Sequence, residues 1–198
     1  MKTVMTVVLV LVVLALAAVA FIYSGAYDVA ASTPDTGLIQ WALETTQHRS
    51  VHRRAEQVAK EVKAPPLEDP DLIRTGLIEY HEMCVVCHGA PGIRISPVGQ
   101  GLNPSPPELA DESAEGDAGE LFWITRNGIK MTGMPAFGVT HSDEEIWAIV
   151  AFLKKMPSLS TEQYEQMVDE AGLNDIGGEE HGEEEGEAHE HAPGTPPH

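Results

Sequence analysis

The sequence predicts an all-α protein carried on a single N-terminal transmembrane helix, and three observations carry that prediction. Thr3 to Tyr23 is a run of 21 residues without a charge. Downstream, apolar residues recur at helical spacing in segments bounded by start and stop signals. No alternation of strand and helix patterns surrounds the chain's two cysteines, Cys84 and Cys87.

At 198 residues the chain has room for one ordinary domain and appendages. As a helix, residues 3–23 would be about 31 Å long, enough for the hydrocarbon layer of a bilayer. Lys2 and the amino terminus precede the run, so the start stays in the cytoplasm and everything after Ser24 is exported. Ala18-Val19-Ala20 has the small-x-small form of a signal-peptide processing site. The apolar run nevertheless continues through Phe21-Ile22-Tyr23, whereas signal h-regions are about 7–15 residues long. Length therefore favours a retained anchor over residues 1–24, inserted in the bilayer through 3–23.

Residues 25–68 read as a linker and a juxtamembrane amphipathic helix. Thr33-Pro34-Asp35-Thr36 is its start signal, and Leu38, Ile39, Ala42 and Leu43, then Val51, Ala55, Val58 and Val62, recur at helical spacing before Pro65-Pro66. Between Arg49 and Lys63 lie five basic residues (Arg49, Arg53, Arg54, Lys60, Lys63) against two acids, Glu56 and Glu61. Such a face suits anionic lipid or a membrane-bound partner, or serves as a spacer whose apolar stripe the next domain covers. His48 and His52, four apart, could share a face and bind a metal; a solvated pair is the plainer reading.

The segment on which the chain is organised is Cys84-Val85-Val86-Cys87-His88, which has the spacing by which a haem is covalently attached. Two thiols three positions apart can each add to one haem vinyl group, and the next residue offers an imidazole to the iron. An iron held this way takes a sixth ligand from elsewhere, and a thioether there raises the reduction potential relative to a second imidazole. Met134, in Gly133-Met134-Pro135-Ala136-Phe137-Gly138, is the candidate, with Met131 as its rival. Gly133 and Pro135 suit a turn that lays a thioether against iron.

That attachment motif, a loop rich in Pro and Gly, the Gly-Met-Pro-Ala-Phe-Gly segment and a closing helix together resemble a class I monohaem cytochrome c of the membrane-anchored bacterial type, over roughly Asp71 to Met156. The resemblance implies that Cys84 and Cys87 bear the thioethers of one haem c, that His88 is the proximal ligand and that Met134 is the distal one. It implies that Gly76 and Tyr80 pack against the last helix of the domain, with Ile149 and Phe152 as partners. It also implies that a proline carbonyl accepts the imidazole N–H, with Pro91, Pro97 and Pro104 all open.

Within the predicted haem domain, residues 69–158, Asp69-Pro70-Asp71 marks a helix start. Gly89 to Pro107 reads as a folded loop. Glu120 to Asn127 reads as a short helix closed by Gly128, with Leu121, Phe122, Trp123 and Ile124 available to the haem wall. Ser142-Asp143-Glu144-Glu145 is a capping box, followed by Ile146, Ile149, Val150 and Leu153 and closed by Lys154-Lys155 and Pro157.

Residues 159–198 read as an acidic, His-rich tail, largely disordered, with one short helix over Glu162–Ala171. Twelve of the 31 acids lie between Glu162 and Glu190, and no Lys or Arg follows Lys155. The net charge of −19 repels nucleic acid backbones. His181, His189, His191 and His198 could chelate divalent metal weakly, or simply solvate the tail.

Other chemistries fit less well. A dithiol redox site expects a βαβ neighbourhood, and structural zinc would need two further ligands in a compact spacing. His81 and His141 could replace Met134, but His81 shares a helix with the cysteines and His141 sits beside a helix cap. The sequence thus predicts a tethered monohaem electron-transfer protein rather than an enzyme, with its haem domain on the outer side of the bacterial cytoplasmic membrane. It serves redox partners at the membrane as a carrier or as a fixed subunit of a larger oxidoreductase.

Overall fold

The computed structural model describes residues 1–112 and 116–173. Its regular structure is helical, with no strand among the described residues beyond an isolated antiparallel bridge between Ala90 and Ile93. The expected fold class is the observed one.

Helix α1 (Lys2–Ser24) is long and apolar enough to cross a membrane, and none of its residues is buried against the protein. It is compatible with a single-pass anchor. Helix α2 (Gly37–Glu61) joins the two apolar stretches of the juxtamembrane region into one continuous rod. Its second half lies on α7 (Ala118–Asn127), where Val51 and Ala55 are buried and the Arg54 guanidinium stands over the Trp123 ring at 5.8 Å. The stripe of this half is therefore covered by protein, because burying Val51 and Ala55 here removes apolar area from water as effectively as lipid would. His52 has acidic partners: its Nδ1 meets Glu120 Oε1 at 3.0 Å and its Nε2 meets Glu56 at 3.6 Å, and no cluster of three potential metal ligands occurs among the described residues.

Helix α3 (Pro70–Met83) starts where the sequence signals it. The Asp69 carboxylate accepts from the Asp71 N–H at 2.9 Å, and Pro70 occupies the first turn, where its missing N–H costs nothing. It crosses α8 (Asp143–Lys155), the centre of the core, in which Ile146 to Leu153 are all buried. The Ser142–Glu145 capping box is present, with the Ser142 N–H donating to Glu145 at 2.7 Å. At the crossing, a Cβ on Gly76 would stand 1.8 Å from the Ala148 carbonyl oxygen and 2.9 Å from Phe152 Cβ. Gly76 thus lies against Ala148 and Phe152, and Tyr80 meets the Phe152 ring at 5.3 Å.

One boundary lies elsewhere than expected. Helix α9 (Thr161–Ala171), opened by a second capping box between Ser160 and Gln163, buries Tyr164 and Val168, and Leu173 beyond it is buried too. Tyr164 reaches α3, where its hydroxyl shares a 2.8 Å hydrogen bond with His81 Nδ1. The tail therefore cannot begin at residue 159. Residues 159–173 belong to the folded body, because Tyr164 and Val168, one turn apart, give α9 an apolar edge that α3 and α8 cover. His181, His189, His191 and His198 lie outside the described residues.

Candidate haem centre

The attachment segment is a turn welded to the end of α3. Cys84 closes α3 by donating its N–H to the Tyr80 carbonyl at 2.8 Å, and its own carbonyl accepts from the N–H groups of Cys87 and His88 at 3.1 and 2.9 Å. The short helix α4 (Val85–His88) and Cys84, which caps it, hold both sulfurs and the imidazole on five consecutive residues. The buried Tyr80 hydroxyl donates to the Gly89 carbonyl at 2.6 Å and fixes the exit from this turn. No disulfide joins the two cysteines. Cys84 is buried, which, with smaller contributions from Cys87 and Glu79, pushes its thiol up to about 12.

The following loop folds back over the turn. It contains a helical turn, α5 (Pro97–Gln100), capped by Ser96. Gly99 lies so close that a Cβ there would be 3.0 Å from Cys87 Cα and 3.1 Å from the Val86 carbonyl oxygen. Farther along, the carbonyl of Pro107, just before α6 (Leu109–Glu112), stands 2.9 Å from His88 Nδ1. A carbonyl can only accept, so Nδ1 carries the proton and Nε2 keeps its lone pair. Burial holds His88 below its usual 6.5, against an upward pull from the Pro107 bond, so the ring is kept neutral as a metal ligand must be.

None of the three prolines considered from sequence makes that contact. Pro97 begins α5 and its carbonyl accepts from the Gly101 N–H at 3.2 Å, Pro91 lies in the tight turn between Ala90 and Ile93, and Pro104 precedes the correct residue by three. Only a folded loop can bring the carbonyl 19 positions on from His88 back to it, and spacing carries no signal of that.

Met134 sits on the segment after α7. Its N–H donates to Thr132 Oγ1 at 3.1 Å and its carbonyl accepts from the Ile129 N–H at 3.2 Å, so the backbone on both sides is held. A Cβ on the preceding Gly133 would stand 2.6 Å from the Leu102 side chain. The same loop therefore touches both halves of the site, through Gly99 and Pro107 on the attachment turn and through Leu102 beside Met134. Met134 is half-buried. Met131 is 93% exposed and holds a left-handed backbone, φ 61°.

The remaining candidates have other partners. His81 faces Tyr164, and His141 Nε2 stands 3.5 Å from Glu79 while its Nδ1 lies 2.8 Å from Thr140 Oγ1. Phe122 stacks on Trp147 at 4.3 Å and Trp123 lies under Arg54, so these two rings serve the contacts of α7 with α8 and α2. Two thiols, a neutral imidazole with one nitrogen free and a backbone-fixed thioether form a donor set that fits a covalently attached haem.

A family model described as cytochrome c oxidase, cbb3-type, subunit III, matches residues 71–153. The chain carries a class I c-type cytochrome domain. The match covers α3 through most of α8, and with them both cysteines, His88 and Met134. A cytochrome domain of this class implies covalently bound haem c and electron transfer. No curated protein matches the chain.

Proposed function

We propose that this cytochrome binds one haem c and passes single electrons between redox partners at the outer side of the cytoplasmic membrane, to which residues 3–23 tether it. Cys84 and Cys87 carry the thioether bonds, His88 Nε2 is the proximal ligand and Met134 the distal one. The observation that carries this reading is the 2.9 Å contact between His88 Nδ1 and the Pro107 carbonyl, which leaves Nε2 the only nitrogen free to bind iron.

When bound, the haem supplies an iron that alternates between ferrous and ferric states. The chain's own residues hold and tune it. Pro107 fixes the imidazole plane and increases its basicity. The Thr132 and Ile129 contacts fix the backbone from which Met134 presents its sulfur, and a thioether there favours the ferrous state relative to a second imidazole. Were His88 and Met134 both to bind the iron, the haem would supply electron transfer and leave no open position for a substrate.

A second reading has support of its own. The matching family is described as a subunit of an oxidase, so the chain can serve as the fixed electron-entry or exit subunit of a larger membrane complex rather than as a free carrier. Gentle detergent extraction and sizing separates the two, since only a fixed subunit stays with other chains.

The common core of both readings is tested on the purified full-length protein. Intact mass should equal the whole chain plus one haem, and Cys84→Ser with Cys87→Ser should abolish covalent attachment. Met134→Ala should remove the weak long-wavelength band of sulfur-ligated ferric haem and lower the potential. Retention of that band in Met134→Ala would overturn the assignment of the distal ligand.

A further inference from the structure

The two halves of α2 turn their apolar residues to opposite sides. At about 100° per residue, Leu38, Ile39, Ala42 and Leu43 are centred roughly opposite Val51, Ala55 and Val58, the residues that face the haem domain. The contacts agree with this geometry: Arg54 and His52, on either flank of the second stripe, reach Trp123 and Glu120 of α7. The first stripe therefore points away from the domain. Leu38 is 74% exposed and Leu43 53%, while Ile39 between them is partly buried.

Position along the chain says what covers it. The linker between α1 and α2 is folded on itself rather than stretched. Asp28 accepts from the Ala30 N–H at 2.9 Å and from the Thr33 hydroxyl at 2.8 Å, and the Tyr27 hydroxyl donates to Asp35. This keeps the start of α2 close to the end of α1. Of the chain's aromatic side chains, those largely exposed are Phe21, Tyr23, Tyr27 and Trp41, all gathered around the end of α1 and the start of α2. Aromatic rings with one wet and one dry side collect at the boundary between lipid and water. Farther along the same outward side come Arg49 and Arg53, both exposed, with Glu56 at its edge beside His52.

We propose that the outward side of α2, from Leu38 to Arg53, lies on the surface of an anionic phospholipid bilayer next to the anchor. Leu38, Ile39, Ala42 and Leu43 enter the interface, and the two arginines meet lipid phosphates. The inference rests on the reading of α1 as a retained anchor. It makes α2 a bracket, with lipid on one side and the cytochrome domain on the other, that holds the domain at a fixed height.

The test is photo-labelling of the full-length holoprotein in nanodiscs containing photoactivatable phosphatidylglycerol, with adducts mapped by mass spectrometry. Adducts on α1 and on residues 37–48 are expected, and the latter alone should fall several-fold with photoactivatable phosphatidylcholine as the sole lipid or in the Arg49→Gln, Arg53→Gln variant. Unchanged haem absorption shows that the variant is folded. Adducts on α1 with none on 37–48 overturn the proposal and leave the anchor standing, whereas adducts on neither overturn the anchor reading itself. A dimer of the holoprotein on sizing that Leu38→Ser with Leu43→Ser abolishes, without lipid adducts on 37–48, overturns it in favour of a self-association surface.

Discussion

The imidazole of His88 donates its Nδ1 proton to the carbonyl of Pro107 at 2.9 Å, across 19 positions of chain. A bond of this kind makes the ring a stronger donor to iron and so favours the ferric state. In the haem-bound protein, Pro107→Gly frees the carbonyl from its fixed position and should raise the reduction potential. One hydrogen bond is worth about 1 kcal/mol, equivalent to roughly 40 mV for one electron. A redox titration reads this directly, and an unchanged potential would show that the contact does not tune the iron.

Gly76→Ala should destabilise the domain well beyond the usual effect of a surface change. The added methyl would lie 1.8 Å from the backbone oxygen of Ala148, which cannot move without moving α8. Overpacking of this kind costs about 3 kcal/mol, or roughly 10–20 °C in the melting temperature of a small domain. Thermal unfolding followed by circular dichroism measures it.

Met131→Gly should have the opposite sign. Its φ of 61° costs an L-residue about 1–2 kcal/mol, and the side chain recovers little because it is 93% exposed. After the extra chain entropy of glycine, the expected net gain is about 0.5–1 kcal/mol. The visible spectrum and the potential should stay as they are; a spectral change would mean that Met131, not Met134, binds iron.

Acid should loosen α9 first. Burial lowers His81 from its usual 6.5, so the folded protein holds fewer protons than the unfolded chain as the pH falls. The stability from keeping this ring neutral is complete above about pH 6.5 and is lost as the pH drops toward the lowered folded value. His81 meets α9 through Tyr164, so hydrogen exchange over residues 161–171 should speed up below pH 6.5 before that of α8 does. Tyr164→Phe should loosen the same helix already at neutral pH, by about 1–2 kcal/mol.

The sequence by itself determined what depends on neighbours in the chain. The Cys-x-x-Cys-His turn, the caps at Asp69 and Ser142, the stop at Gly128 and the uncharged run of α1 are each written within a few residues, where backbone geometry couples one position to the next. Tertiary structure decided which surfaces and groups meet across long separations. Periodicity says that α2 and α9 have apolar sides, but not that Val51 is covered by α7, that Leu38 faces away from it, or that Tyr164 closes on His81 across 83 positions. The choice of Pro107 over three nearer prolines has the same origin: a backbone carbonyl is common to every residue, so only the closed loop can say which one reaches the imidazole.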